Sequence, residues 1–341
     1  MRPLSILLLS DDRPGHYHLA EGVIAAIARS RPVITSRLLV QRRRWLPGRG
    51  LAEMLIRGAP AGAILAAGYG LDAKRLPKSD LIVSAGGETL VANAALARLM
   101  DAPNIFCGSL RRLPAQAFSL IVSSYARHAS LPRHLVALKP NGIDPDTLRR
   151  APTTARPGPP RLAGLLIGGD SGHFRYQRAE WQALLSFLRQ SRLTHGTQWA
   201  VSTSRRSPPA IGDELAALGA EPATPIADLV DFRTSGPGTL PRIFAKAEAI
   251  VCTEDSSTML SEAVCARLPV VGVSPVQHGF KDEERQYREF MRAHGWCRFL
   301  PLRELTPARF VAELGSIVPL AENHLDRLAT ALRERLPQLF V

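Results

Sequence analysis

A unit that occurs twice constrains the fold most. Residues 5–9 form a continuous apolar run, followed by the polar turn Asp11-Asp12-Arg13-Pro14-Gly15-His16 and an alanine-rich helical pattern over 18–29. The same order restarts at residue 162, with an apolar run over 162–167, the turn Gly168-Gly169-Asp170-Ser171-Gly172-His173 and a helical pattern over 179–189. A strand without polar alternation is buried on both faces, which is the habit of parallel sheets covered by helical crossovers. Further apolar runs at 81–84, 104–107, 120–123, 198–202, 249–253 and 270–273, and helical patterns at 91–100, 240–247 and 258–266, extend both halves in the same way. The expected fold is α/β, with two Rossmann-like domains.

A length of 341 residues suits two such domains. The polar stretch 151–161, rich in proline and glycine, cannot continue a helix or a central strand and is expected to be the linker. The domains are then 1–150 and 162–318. The tail 319–341 carries Leu325, Leu328, Leu332 and Leu336 at helical spacing and is expected to cover core, packing back on the first domain. Four well-separated cysteines, Cys107, Cys252, Cys265 and Cys297, suggest neither a zinc site nor a disulfide framework and fit a reducing cytoplasm. The opening apolar run ends on two aspartates, too short for a signal peptide, and no stretch approaches the roughly 20 apolar residues that cross a bilayer.

Ligands of doubly wound sheets bind beyond the carboxyl ends of the strands, so the loops after the apolar runs of the second half form the candidate site. Gly168 and Gly169 let backbone amides approach an anion, and Ser171 adds a hydroxyl; a tight turn that needs glycine explains the same residues. The spacing is not that of a dinucleotide loop. Asp255, Ser256, Ser257 and Thr258 are expected at a helix start, where N–H groups and the helix dipole favour phosphate. Plain capping is the alternative. Ser204, Arg205 and Arg206 follow the run at 198–202, and a guanidinium there would neutralise a departing diphosphate. Two surface arginines in a loop are the blander account of that segment. Glu262, further along the helix after 256, is placed to accept from ribose hydroxyls. The set calls for no metal and no cofactor.

These segments carry a resemblance. From about residue 162 to 300, GGDSGH, TSRRSP, TEDSSTMLSEA and LPVVGV resemble the elongated-mitochondria fission factor family and its bacterial members, regarded as glycosyltransferases of the GT-B type; the opening Asp11–His16 turn is similar to that family's acidic-Gly-Arg-Pro-Gly-His start. The resemblance implies two Rossmann-like domains with parallel sheets facing a central cleft. DSSTMLSEA also resembles the nucleotide loop of sugar-nucleotide 2-epimerases, which implies a ribose contact for Glu262. The chain departs at Ser84-Ala85-Gly86-Gly87-Glu88-Thr89, where the family shows S-A-G-R-R-T, at Asp12, where glycine is usual, and at Phe118-Ser119 and Arg127-His128. The resemblance implies that these positions line the acceptor side.

A transferase without a metal needs a base for the acceptor hydroxyl. His16 is the first candidate, because imidazole as a residue type exchanges protons near neutrality and a similar Gly-His stands in the peptidoglycan lipid-linked N-acetylglucosaminyltransferase. Asp12 and Glu88 are the others, and a histidine that merely starts a helix is the alternative. The net charge is +13, and it is concentrated: residues 1–150 hold 21 Lys and Arg against 10 Asp and Glu, residues 151–341 hold 22 against 20. Arg42, Arg43, Arg44, Trp45 and Leu46 combine cations with apolar side chains, as suits an anionic membrane surface; a solvated loop accounts for them as well. No nucleic-acid signature accompanies them. The expectation is a glycosyltransferase acting on a lipid-linked or envelope glycan acceptor, cytoplasmic and peripheral on the inner membrane face. A sugar-nucleotide epimerase or hydrolase and a non-catalytic membrane scaffold are the rivals.

Overall fold

The computed structural model describes residues 2–148 and 158–341. The chain divides into two compact units, Met1–Gly142 with His324–Val341, and Ile143–Asn323. Residues 151–157 of the expected linker lie outside the described residues.

In the first unit the strands are β1 (Leu4–Ser10), β2 (Val33–Leu39), β3 (Leu81–Ala85), β4 (Asn104–Cys107), β5 (Leu120–Ser123) and β6 (His134–Val136), with helices α1 (Pro14–Ala28), α2 (Gly48–Ile56), α3 (Ala61–Tyr69) and α4 (Leu90–Met100). All pairings are parallel, in the order β2-β1-β3-β4-β5-β6. The chain starts inside the sheet, steps out to β2 and returns across β1 to β3, so the direction of winding reverses between β1 and β3. Strand β1 shows why its residues are uniformly apolar. Leu4, Ile6 and Leu8 join one core with α1, while Leu7 and Leu9 join the opposite core with α2, α3 and α4. A period of two buried on both sides leaves no position for a polar side chain.

In the second unit the strands are β7 (Leu162–Leu166), β8 (Gln198–Ser202), β9 (Ile226–Val230), β10 (Ala249–Thr253), β11 (Val270–Ser274) and β12 (Cys297–Pro301). The helices are α5 (Arg178–His195), α6 (Pro209–Gly219), α7 (Phe232–Ser235), α8 (Leu240–Phe244), α9 (Ser257–Cys265), α10 (Asp282–Ala293) and α11 (Pro307–Leu314). The order β12-β11-β10-β7-β8-β9, again parallel, reverses between β7 and β10. Helix α5 starts on a capping box in which Gln177 and Glu180 satisfy each other's backbone N–H groups, and ends on Gly196 in the left-handed region. Its buried Trp181, Leu184, Phe187 and Leu188 pack with Trp199 of β8 and Phe310 of α11.

The last helix, α12 (His324–Arg335), belongs to the first unit. Leu325, Leu328 and Leu332 on its inner face, with Leu336 beyond it, pack in the core that contains Ile6, Leu8 and α1. Each such side chain contributes roughly 1.5–3 kcal/mol by burial. Arg29, which caps the end of α1, donates to Asp326 at 2.7 Å at the rim of this contact.

Candidate functional site

Doubly wound sheets take ligands where the strand order reverses, which in the second unit is between β7 and β10. Here the loops are cross-tied. The Gly168 N–H donates to Thr253 Oγ1 at 2.7 Å and the Gly169 N–H to Asp255 Oδ2 at 3.1 Å. Asp255 also accepts from Arg206 Nη2 at 2.5 Å and from the Tyr176 hydroxyl at 3.0 Å. Ser207 Oγ, in the loop after β8, donates to the carbonyls of Ile167 and Gly168 at 3.0 and 2.7 Å. The Asp255 side chain is completely buried, so one carboxylate joins three loops.

The glycines follow from that closeness. A Cβ on Gly168 would lie 2.1 Å from Asp255 Oδ2, and one on Gly169 would lie 2.0 Å from the Arg206 carbonyl oxygen. Their amides are therefore engaged within the site rather than offered to an anion, because a buried carboxylate and hydroxyl claim them first. Burial pushes the Tyr176 phenol well above its ordinary value, and the neighbouring Asp255 charge pushes it further, which keeps it a donor.

The remaining donor residues fall around this tie. Ser256 caps α9, its hydroxyl accepting from the Met259 N–H at 3.4 Å, and Ser257 and Thr258 form the half-buried first turn of that helix. Glu262 lies on the same helix and is buried. Ser204 accepts from the Arg206 N–H at 3.2 Å, and its own N–H donates to Ser207 Oγ at 2.8 Å. Ser171 closes a turn with Phe174. Of the two arginines, Arg206 is spent on Asp255 while Arg205 is exposed. Tyr176, Ser207 and Arg288 escape detection in the sequence. Arg288 pairs with the buried Glu254 at 3.1 Å, donates to the Glu254 carbonyl at 2.6 Å and stacks on Phe280 at 4.2 Å. Burial raises the Glu254 carboxyl, against the opposing pull of Arg288.

In the first unit, His16 and Glu88 flank the reversal between β1 and β3. His16 Nδ1 is 2.7 Å from Asp11 Oδ2; the imidazole is one-third exposed and the carboxylate buried. A carboxylate accepts only, so the ring presents its N–H at Nδ1 and leaves Nε2 as the proton acceptor. Asp11 was readable as an acid five residues before the histidine, yet carries no role in the sequence expectations. Gly86, at φ 89°, passes directly beneath the ring; a Cβ there would be 2.2 Å from Nδ1. Glu88 does not stand free as a base, because Arg42 pairs with it at 3.2 Å. Asp12 is exposed at the surface, 3.6 Å from Arg37. Its φ of 61° lies in the left-handed region, which aspartate is among the few non-glycine residues to tolerate.

The basic segment divides. Arg43, Arg44 and Trp45 are exposed, Trp45 by 67 %. Arg42 turns inward to Glu88 and to the Leu46 carbonyl, and Leu46 packs against the core beneath. Asp144 and Asp146, a closely spaced acid pair passed over in the sequence, both accept from Asn323 Nδ2, at 2.8 and 2.7 Å. Among the described residues no His, Cys, Asp or Glu group is arranged to hold a metal ion, and no helix is long and apolar enough to cross a membrane.

Two doubly wound parallel sheets, each with its loops gathered at a point of reversal, define a fold of the GT-B glycosyltransferase class. The chain belongs to the mitochondrial fission ELM1 family, whose model matches residues 14–336. Among solved structures, it is similar to UDP-GlcNAc 2-epimerase from Neisseria meningitidis bound to UDP-GlcNAc, with 12% identity over 99% of this chain and 100% of that one and a TM-score of 0.54. It is similar also to UDP-GlcNAc 2-epimerase from Methanocaldococcus jannaschii, with 13% identity, coverage of 98% and 100% and a TM-score of 0.53. The MurG of Acinetobacter baumannii is similar at 14% identity, 99% and 93% coverage and a TM-score of 0.50. These likenesses are of fold. No curated protein sequence matches the chain.

Proposed function

We propose that the chain is a metal-independent glycosyltransferase that moves a sugar from a nucleotide-diphosphate sugar to a lipid-linked or envelope glycan at the inner membrane face. The observation that carries this is the buried Asp255 tie, which fixes the start of α9 at the point of reversal in the second unit. A helix start held there is suited to the donor diphosphate, with Ser256, Ser257 and Thr258 around it and Glu262 directed to the ribose. UDP-GlcNAc bound in the similar Neisseria epimerase supports this donor class. In the transfer, the acceptor oxygen bonds to the anomeric carbon as that carbon's bond to the diphosphate oxygen breaks. The electron pair leaves with the diphosphate, Arg205 meets the charge that grows there, and the acceptor proton passes to His16 Nε2.

Incubation with radiolabelled nucleotide-sugars and envelope lipid extract is the test. Label is expected in the lipid fraction, and His16→Ala should lower its incorporation by about 10²-fold or more. Free sugar or an epimerised nucleotide-sugar, formed equally without lipid, would favour the epimerase or hydrolase reading; retention of the donor without turnover would favour the scaffold. The membrane face is tested separately. Sedimentation with anionic phospholipid vesicles should exceed that with zwitterionic ones, and Arg43→Gln with Arg44→Gln should weaken it by about tenfold or more. Equal sedimentation with both vesicle types rules out this surface.

A further inference from the structure

The loop after β4, the neighbour of β3, brings a second charged group to the point of reversal in the first unit. Arg111 has its backbone in the left-handed region, at φ 55°. Its guanidinium lies against Gly87: a Cβ built there would be 2.2 Å from Nη2, 2.3 Å from Cζ and 2.7 Å from Nη1. The adjacent Gly86 carries the His16 ring in the same manner. Two successive glycines thus serve as a floor, one for the imidazole and the next for the guanidinium. Among the described residues no carboxylate is paired with Arg111, whereas Arg42 is neutralised by Glu88 and Arg37 lies near Asp12.

We propose that Arg111 is the anion-recognition residue of the acceptor, binding a phosphate group beside the hydroxyl whose proton goes to His16. A planar guanidinium that needs no counter-ion from the protein offers two parallel N–H donors to a phosphate. Its position over residue 87, next to the ring over residue 86, demands that the anion and the accepting hydroxyl belong to neighbouring groups of one acceptor. A sugar phosphate or a sugar linked through phosphate to a lipid has that arrangement. This rests on the transferase reading and narrows it to phosphorylated acceptors.

The full chain, labelled with ¹⁵N, is titrated with inorganic phosphate, with farnesyl phosphate in detergent and with acetate. Both phosphates, or farnesyl phosphate alone if the phosphate must be lipid-borne, should move the His16 ring signals, and acetate should not. Arg111→Met should weaken phosphate binding by about tenfold or more. Gly87→Ala should weaken it as well, because the added methyl occupies the guanidinium's place. Both variants are expected to fold, since Arg111 is exposed and residue 87 lies outside the left-handed region; unchanged melting temperatures check this. Phosphate affinity equal in wild type and both variants, or His16 signals unmoved by either phosphate, overturns the assignment. Stabilisation by nucleotide-sugars should be the same in the variants as in wild type. Its absence from the wild type would refute the donor reading and leave an Arg111-dependent phosphate response standing.

Discussion

Asp255→Ala should lower the melting temperature of the second unit by about 6–12 °C, corresponding to about 3 kcal/mol, and abolish its response to nucleotide-sugars. The carboxylate is buried and receives three donors: the Gly169 amide, the Tyr176 hydroxyl and Arg206. Its removal leaves a backbone N–H and a phenol unsatisfied, at about 1–3 kcal/mol each. The arginine's share is smaller, because its side chain is one-third exposed and turns to water. Binding suffers more than stability, since the loops after β7 and β8 lose their common anchor to α9. Asp255→Asn keeps an acceptor and should fall between the two. Scanning calorimetry of the variant checks the first part, and a change below about 1 °C would show that the tie does not hold the loops.

Arg288→Met should cost about 3–5 kcal/mol at neutral pH, the range for breaking a buried ion pair on one side. Arg288 and Glu254 are 7% and 4% exposed, and the guanidinium also holds the Glu254 carbonyl. The loss should depend on pH with a definite sign. Burial already raises the Glu254 carboxyl in the folded protein, and loss of the cation raises it further. A folded-state value above the unfolded one means that stability is fully present below the unfolded value, about 4.3 for glutamate, and is lost as pH rises through the folded value. The deficit of Arg288→Met against wild type should therefore be small near pH 4 and grow toward neutrality. Urea unfolding across that interval measures it; a deficit constant with pH would place its origin in the lost stacking on Phe280.

The strands legible in the sequence are the interior ones. Residues 5–9, 81–84, 104–107, 120–123, 162–167, 198–202, 249–253 and 270–273 all lie within or end strands flanked on both sides, whose apolar runs follow from burial on both faces. The four that left no run are β2, β6, β9 and β12, the edges of the two sheets. Edge strands keep one side toward solvent and so admit Thr35, Ser36 and Arg37 in β2, His134 in β6, Asp228 in β9 and Arg298 in β12. The site was legible as loops but not as a network. GGDSGH and TEDSST mark strand ends because glycine and hydroxyl residues interrupt apolar runs. That Asp255 joins Tyr176, 79 residues earlier, and Arg206, 49 earlier, depends on β10 folding back beside β7, which local pattern does not reveal. The same holds for Arg42, whose charge reads as surface until Glu88, 46 residues on, is beside it.

Thermal denaturation of the wild-type chain against a panel of nucleoside diphosphates and their sugar conjugates decides whether the loops tied by Asp255 hold a nucleotide-diphosphate sugar. One nucleotide class at about 100 times its Kd should stabilise the fold by about 2.7 kcal/mol, and Glu262→Ala should diminish that response. Stabilisation by none of the panel, or a response that Glu262→Ala leaves unchanged, would contradict the donor site.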